Sequence, residues 1–179
     1  MEVNEAIKAR KSVRKFSDRE VTDEDIRKIV DCARWAPSWK NSQTEGFIAV
    51  RGDLKDRIAE EAVLGFEYNT KTISRAPVLI VQTVKKGISG YEKDGSESTP
   101  QGSHWQSYDA GIAGYAFELA AYGLGLGTVI MGIIDEPKVK EILGIDDGTG
   151  IAALIALGYP EGPLKGPDRK SVDEILEIR

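Results

Sequence analysis

The stretch from Trp105 to Leu124 restricts this chain more than any other. It is long enough for five turns of helix and is apolar almost throughout. Ala or Gly stands at positions 110, 111, 113, 114, 116, 120 and 121. Such a helix has few side chains of its own to fill space, so it must be buried where other backbones come close, at the centre of the fold and against other helices. Glu118 is its exception, and a carboxylate buried alone is expensive, so Glu118 is expected at an edge or beside a basic partner. Two further runs, Val78 to Val84 and Ile151 to Leu157, are continuously apolar and β-branched or small, the pattern of central strands. Gly127 to Gly132 reads as a third, shorter strand.

A length of 179 residues fits one domain with a real core and no need of disulfide staples. The single Cys32 has no partner within the chain, which suits a reducing compartment. The first residues interleave Val3 and Ile7 with charged and polar neighbours and lack the apolar run of a signal peptide, and glycines interrupt the span from Leu119 to Ile134. A cytoplasmic protein that crosses no membrane is the expectation. A net charge of −5 argues against a general nucleic-acid binder.

Against that acidic background, Lys8 to Phe16 holds five cations in nine residues and no carboxylate. Crowding Lys8, Arg10, Lys11, Arg14 and Lys15 costs mutual repulsion, which an anionic ligand recovers. Ser12 adds a hydroxyl donor, and the two arginines supply planar forks suited to phosphate. A solvated basic face is the plainer alternative.

The rest of the chain is organised around these pieces. Glu2 to Ala9 reads as a short amphipathic helix. Thr22 to Asp25 opens a helix with a capping-box signature, and that helix runs to about Trp35. Pro37 to Glu45 is a polar loop carrying Trp39, Gly46 to Arg51 is β-like, and a helix is expected from Leu54 to Leu64. Glu67 to Arg75 reads as a polar segment, and Lys85 to His104 as an aperiodic loop of the length that forms lids. Asp135 and Pro137 start a helix that Gly144 ends. Pro160, Pro163 and Pro167 impose an extended arm, which leads to Arg169, Lys170 and an apolar stripe from Val172 to Ile178.

Most chemistries are excluded by what is missing. Gly123, Gly125 and Gly127 imitate a dinucleotide fingerprint but follow a helix and open a strand, the reverse of the required order. One His and one Cys cannot build the usual nitrogen and sulfur metal set. No base accompanies a Ser nucleophile. A phosphate grip, polar loops and no reactive side chain fit a protein whose chemistry belongs to a bound cofactor.

Several motifs in register resemble one family. They are Arg10-Lys11-Ser12-Val13-Arg14 with Phe16; Ala36-Pro37-Ser38 with Asn41 and Gln43; Asn69 ahead of Ala76-Pro77; Asp109; Gly123 to Thr128; and Met131-Gly132 before Asp135. Their order and spacing are similar to those of the nitroreductase family of FMN-dependent oxidoreductases over nearly the whole chain. The resemblance implies a single α+β domain, residues 1–179, with a mixed central sheet of four or five strands surrounded by helices, working as an intertwined homodimer with FMN at the subunit interface. It implies that Arg10, Lys11, Ser12 and Arg14 meet the FMN phosphate, ribityl chain and pyrimidine edge, with Arg169 and Lys170 closing on the phosphate. Pro37, Ser38, Trp39 and Asn41 would reach the flavin from the other subunit, Asn69 would meet the pyrimidine edge, and Met131 and Gly132 would lie over the ring. Trp39, Lys71 and Trp105 would shape the substrate site beneath the loop from Lys85 to His104. The implied reaction is ping-pong, with NADH or NADPH delivering hydride to flavin N5 and a small organic acceptor, such as a nitroaromatic or quinone, removing it. A flavin-binding sensor or store, or a non-enzymatic phosphate-binding module, are the alternatives from other classes.

Overall fold

A computed structural model describes residues 2–179. Four strands form one sheet: β1 (Glu45–Val50), β2 (Val78–Lys85), β3 (Gly127–Met131) and β4 (Thr149–Gly158), in the order β1-β2-β4-β3. All three strand pairs are antiparallel. The mixed character expected of the sheet is confined to a single parallel bridge between Ser12 and Thr128, where the basic segment runs beside the edge strand β3. Among the described residues the six α-helices are α1 (Val3–Ala9), α2 (Asp23–Ala33), α3 (Gly52–Glu61), α4 (Glu67–Arg75), α5 (His104–Gly123) and α6 (Glu136–Leu143).

The period of two along β2 and β4 sorts their side chains onto the two faces of the sheet. Leu79, Val81, Leu154 and Ala156 join Ile58 of α3, Ile73 of α4 and Val139 of α6 in one core. Val78, Ile80, Ile155 and Leu157 join Ile29 of α2 and Phe117 of α5 in the other. Both central strands are therefore covered on both sides, which is why they read as unbroken apolar runs. Among the described residues no helix is long and apolar enough to cross a membrane.

Local signals placed most boundaries. Thr22 caps α2: its hydroxyl accepts from the Asp25 N–H, and the Asp25 carboxylate accepts from the Thr22 N–H. Asp135 caps α6 by accepting from the Lys138 N–H, and Gly144 ends that helix in the left-handed region at φ 66°. Gly125, at φ 77°, makes the turn from α5 into β3. One segment differs from expectation: Glu67 to Arg75, polar in composition, is the helix α4. Its buried residues Asn69, Thr72 and Ile73 lie at helical spacing, so a narrow buried face against α3 outweighs the low apolar content.

The small residues of α5 serve two purposes. Ala110, Ala113 and Ala121 are buried, and a Cβ on Gly114 would stand 2.9 Å from the side-chain oxygen of Gln82, whose amide donates to the Ala110 carbonyl at 2.6 Å. The opposite side of the helix exposes Tyr108, Gly111 and Tyr115. The proline-rich arm folds back along the basic segment. Ser17 N–H donates to the Tyr159 carbonyl, Glu161 N–H donates to the Lys15 carbonyl, and Gly166 lies against the aliphatic stem of Lys11.

Candidate functional site

β3 is an edge strand, so one side of its backbone is left for something other than a strand. Val13 N–H takes the Thr128 carbonyl at 2.8 Å and fixes the basic segment beside the first residues of β3. Strand alternation then turns the backbone groups of Ile130 outward, past the end of that contact. There a cavity of about 320 Å³ opens, lined by Arg14, Phe66, Tyr68, Asn69, Thr72 and Val129 through Ile133. Three separate stretches of sequence meet in it. Arg14 comes from the basic segment and Asn69 from α4, while Met131 and Gly132 come from the end of β3.

Asn69 is buried, and its amide donates to the Ile133 carbonyl at 3.1 Å. That bond orients the side chain and ties α4 to the chain leaving β3. Phe66 and Tyr68 sit 5.5 Å apart at the mouth and give it an aromatic rim. Neither was assigned a role from sequence, because the polar composition of the segment concealed the helix that places them. The recurrence of Asn69, Thr72 and Ile73 at three and four residues was the available signal.

Arg10 lies at the other end of the basic segment and behaves differently from Arg14. Its guanidinium sits 3.6 Å from the buried carboxylate of Glu118 on α5, with only 13% of its side chain exposed. The Nε and Nη1 groups are buried with no hydrogen-bond partner. Buried, charged donors without acceptors are costly, and an incoming anion removes that cost. Lys11 lies against Gly166 of the proline-rich arm. Arg169 itself is exposed and donates to the Pro167 carbonyl at 2.9 Å.

Other expected site residues lie elsewhere in the protomer. Lys71 points away from the cavity and donates to Glu67 at 2.7 Å, a bond that holds the Glu67 carboxyl below its ordinary range. Its position one turn after Glu67 on the solvent face of α4 explains this. Trp39 and Trp105 pack against each other with centroids 4.6 Å apart and planes tilted by 45°, and Tyr108 packs edge-on against Trp105. The buried carboxylate of Asp109 organises this second cluster, accepting from the Trp39 N–H at 2.9 Å and the Ser89 hydroxyl at 2.6 Å. Lys40, Asn41 and Gln43 all adopt positive φ, so the loop bearing Pro37 and Ser38 is tightly wound, and the Ser38 hydroxyl accepts from the Gln43 N–H. The Lys85 to His104 segment is a set of packed turns anchored through Ser89. Lys40 and Ser98 both donate to Glu92 and keep its carboxyl below the usual range. Among the described residues there is no acidic, His or Cys group suited to a metal.

Fold and cleft define an α+β protein with a cavity on the open edge of its sheet, flanked by a basic segment. The chain belongs to the nitroreductase family, whose sequence model matches residues 7–72 and 62–159. It is 35% identical over 179 residues to a Methanothermobacter thermautotrophicus protein named for NADH dehydrogenase and NAD(P)H nitroreductase activity, covering 94% of this chain and 85% of the relative. Among solved structures, a nitroreductase family protein from Streptococcus pneumoniae superposes with a TM-score of 0.87 at 27% identity, covering 99% of this chain and all of the other. A nitroreductase-type structure from Desulfovibrio desulfuricans, crystallised with FMN, gives a TM-score of 0.81 at 27% identity over 99% of this chain and 96% of that one.

Proposed function

We propose that this protein is an FMN-dependent NAD(P)H oxidoreductase that acts on small organic acceptors as a homodimer. The observation that carries the reading is the convergence of Arg14, Asn69 and the Met131–Gly132 backbone on one cavity at the edge of β3. The donor set fits the cofactor. Arg14, the outward Ile130 N–H and the Asn69 amide suit the polar edge of an isoalloxazine, and Phe66, Tyr68 and Met131 supply apolar contact for its rings. From Thr128 to Met131 the strand advances about 10 Å, a span comparable to an extended ribityl phosphate, so Ser12 and Arg10 would hold the phosphate end. The orphaned donors of Arg10 fit an anion at that end.

When bound, FMN would supply the redox chemistry, two-electron transfer from NADH or NADPH to the acceptor. The chain's own residues bind and orient. Arg14 places positive charge at the pyrimidine edge, where negative charge develops on reduction. Phe66 and Tyr68 screen the cavity mouth from water and offer a surface on which a planar acceptor can stack. No side chain in the cavity is a general acid or base of the usual kind, in keeping with chemistry delegated to the cofactor.

The homodimer reading is supported by apolar surface that the protomer leaves bare: Tyr108 and Tyr115 on α5, Val3 and Ile7 on α1, and Val172, Ile175, Leu176 and Ile178 in the tail. A second copy would cover these and bring the Trp39–Trp105 cluster toward the neighbouring cavity. The test is anaerobic titration of the yellow protein with NADH and NADPH, followed by a panel of nitroaromatic and quinone acceptors. Bleaching and reoxidation by an acceptor are expected, whereas colour without bleaching would mark a flavin store or sensor. Arg10→Ala is expected to lower FMN content more than it slows flavin-loaded turnover, and equal FMN content in variant and parent would contradict the assignment of Arg10.

A further inference from the structure

We propose that Glu118 is a positioning residue that aims Arg10 at the cofactor phosphate; the inference rests on the FMN reading above. Glu118 lies on the central helix, is 6% exposed, and accepts from the Thr128 hydroxyl at 2.9 Å. Thr128 also anchors the basic segment, through its carbonyl to the Val13 N–H. One residue of β3 therefore fixes both the carboxylate and the strand of cations beside it.

The Arg10–Glu118 contact has an unusual form. Its 3.6 Å separation gives charge attraction in a dry environment, yet Nε and Nη1 keep no hydrogen-bond partner. A purely structural buried pair is stable only when hydrogen bonds satisfy its donors. Here the guanidinium is held by charge while its donors stay uncommitted. That arrangement removes the rotamer freedom of a long side chain before any ligand arrives and leaves its hydrogen-bonding capacity for an acceptor of better geometry. Without Glu118, Arg10 would turn to solvent, and phosphate binding would have to bring it back.

The experiment uses full-length protein stripped of flavin, with FMN and riboflavin as probes and quenching of flavin fluorescence as the readout. Because riboflavin lacks the phosphate, it reports every contact except the one at issue. Glu118→Gln keeps size and an oxygen for the Thr128 hydroxyl, and is expected to raise the Kd for FMN about tenfold, the loss of one charge-assisted contact. The Kd for riboflavin should not move. In an Arg10→Ala background, Glu118→Gln should have no further effect on FMN. Unchanged or tighter FMN binding by Glu118→Gln, an equal loss with riboflavin, or the same loss without Arg10 would each overturn the proposal. Should Glu118→Gln fail to fold, Thr128→Val loosens the carboxylate and is expected to give a smaller loss, also specific to FMN; a loss shared with riboflavin would count against the proposal. The two levels separate cleanly. If Arg10→Ala leaves FMN affinity intact, the phosphate assignment fails and this inference with it. If Arg10→Ala weakens FMN and Glu118→Gln does not, only the positioning role fails.

Discussion

Gly127 of the sheet edge lies against Val13 of the basic segment, and Gly127→Ala tests how rigidly one holds the other. A Cβ built there lies 2.7 Å from the Val13 Cβ and 3.0 Å from its Cγ1, with Cγ2 nearer still. Carbon atoms prefer about 3.5 to 4.0 Å, so the segment must retreat by about 1 Å. Val13 cannot absorb this by rotation. It is 6% exposed, its β-branched side chain is stiff at χ1, and its N–H is committed to Thr128. Overpacking of this kind costs about 1 to 3 kcal/mol. For a chain of this size each kcal/mol lowers Tm by about 2 to 4 °C. Ser12 and Arg14 flank Val13, so the same retreat displaces the donors on either side and FMN retention should fall. Urea unfolding of flavin-free protein gives the stability term, and flavin fluorescence gives the affinity. Val13→Ala in the Gly127→Ala background should recover stability relative to the sum of the single changes, a coupling of about 0.5 to 3 kcal/mol. Gly127→Ala stability within about 0.5 kcal/mol of the parent, together with strict additivity in the double variant, would refute the reasoning.

Three further outcomes follow from the geometry. Asn69→Leu strands the Ile133 carbonyl and should cost about 1 to 3 kcal/mol in urea unfolding, with weaker binding of both FMN and riboflavin, since in the proposed site the amide would serve the ring end. Asp25, held below the ordinary carboxylate range by the Thr22 N–H and hydroxyl, stabilises the protein in its ionised form. Its contribution is present above the unfolded carboxylate range and lost as pH falls through the depressed folded pKa. The stability gap between parent and Asp25→Asn should therefore close on acidification and be full near neutrality. Gly111, on the bare face of α5, meets nothing within 4 Å in the protomer, so Gly111→Leu should fold yet shift sedimentation toward the monomer; an unchanged dimer would remove α5 from the interface.

What could be read in advance follows from how local each signal is. The capping residues Thr22 and Asp135, the Gly125 turn and the two buried strands are decided by neighbours in sequence, and each is where its pattern puts it. The helix α4 was hidden because its apolar face is only Asn69, Thr72 and Ile73, two of them polar, and a partner helix supplies the rest of the burial. The cavity was legible residue by residue at Arg14, Asn69, Met131 and Gly132, while its shape depended on which strand lies at the sheet edge. Lys71 shows the converse. Its nearness to Asn69 in sequence suggested nearness to the ligand, but two positions along a helix turn a side chain about 200°, and Glu67 takes it instead. The pairing of Arg10 with Glu118 joins residues more than a hundred positions apart, and only the expectation that a buried carboxylate needs a basic partner pointed toward it.

The charge pattern at this edge can now be followed physically. Among the described residues, Glu118 is the one carboxylate that pairs directly with the cluster from Lys8 to Lys15, through Arg10, and it does so from the core side rather than from solvent. On the outer side the proline-rich arm pairs with residues 15 to 17 and brings Gly166 against the stem of Lys11. That arm carries Glu161 and Asp168 beside Lys165, Arg169 and Lys170, so it adds no net negative charge to offset the cluster. The repulsion within Lys8 to Lys15 is then relieved when an anion binds beside the cluster. High salt should then weaken binding of FMN far more than of riboflavin, since screening acts on the charge alone. A salt dependence shared equally by the two flavins would mean that these cations serve solubility, and that the phosphate is held elsewhere.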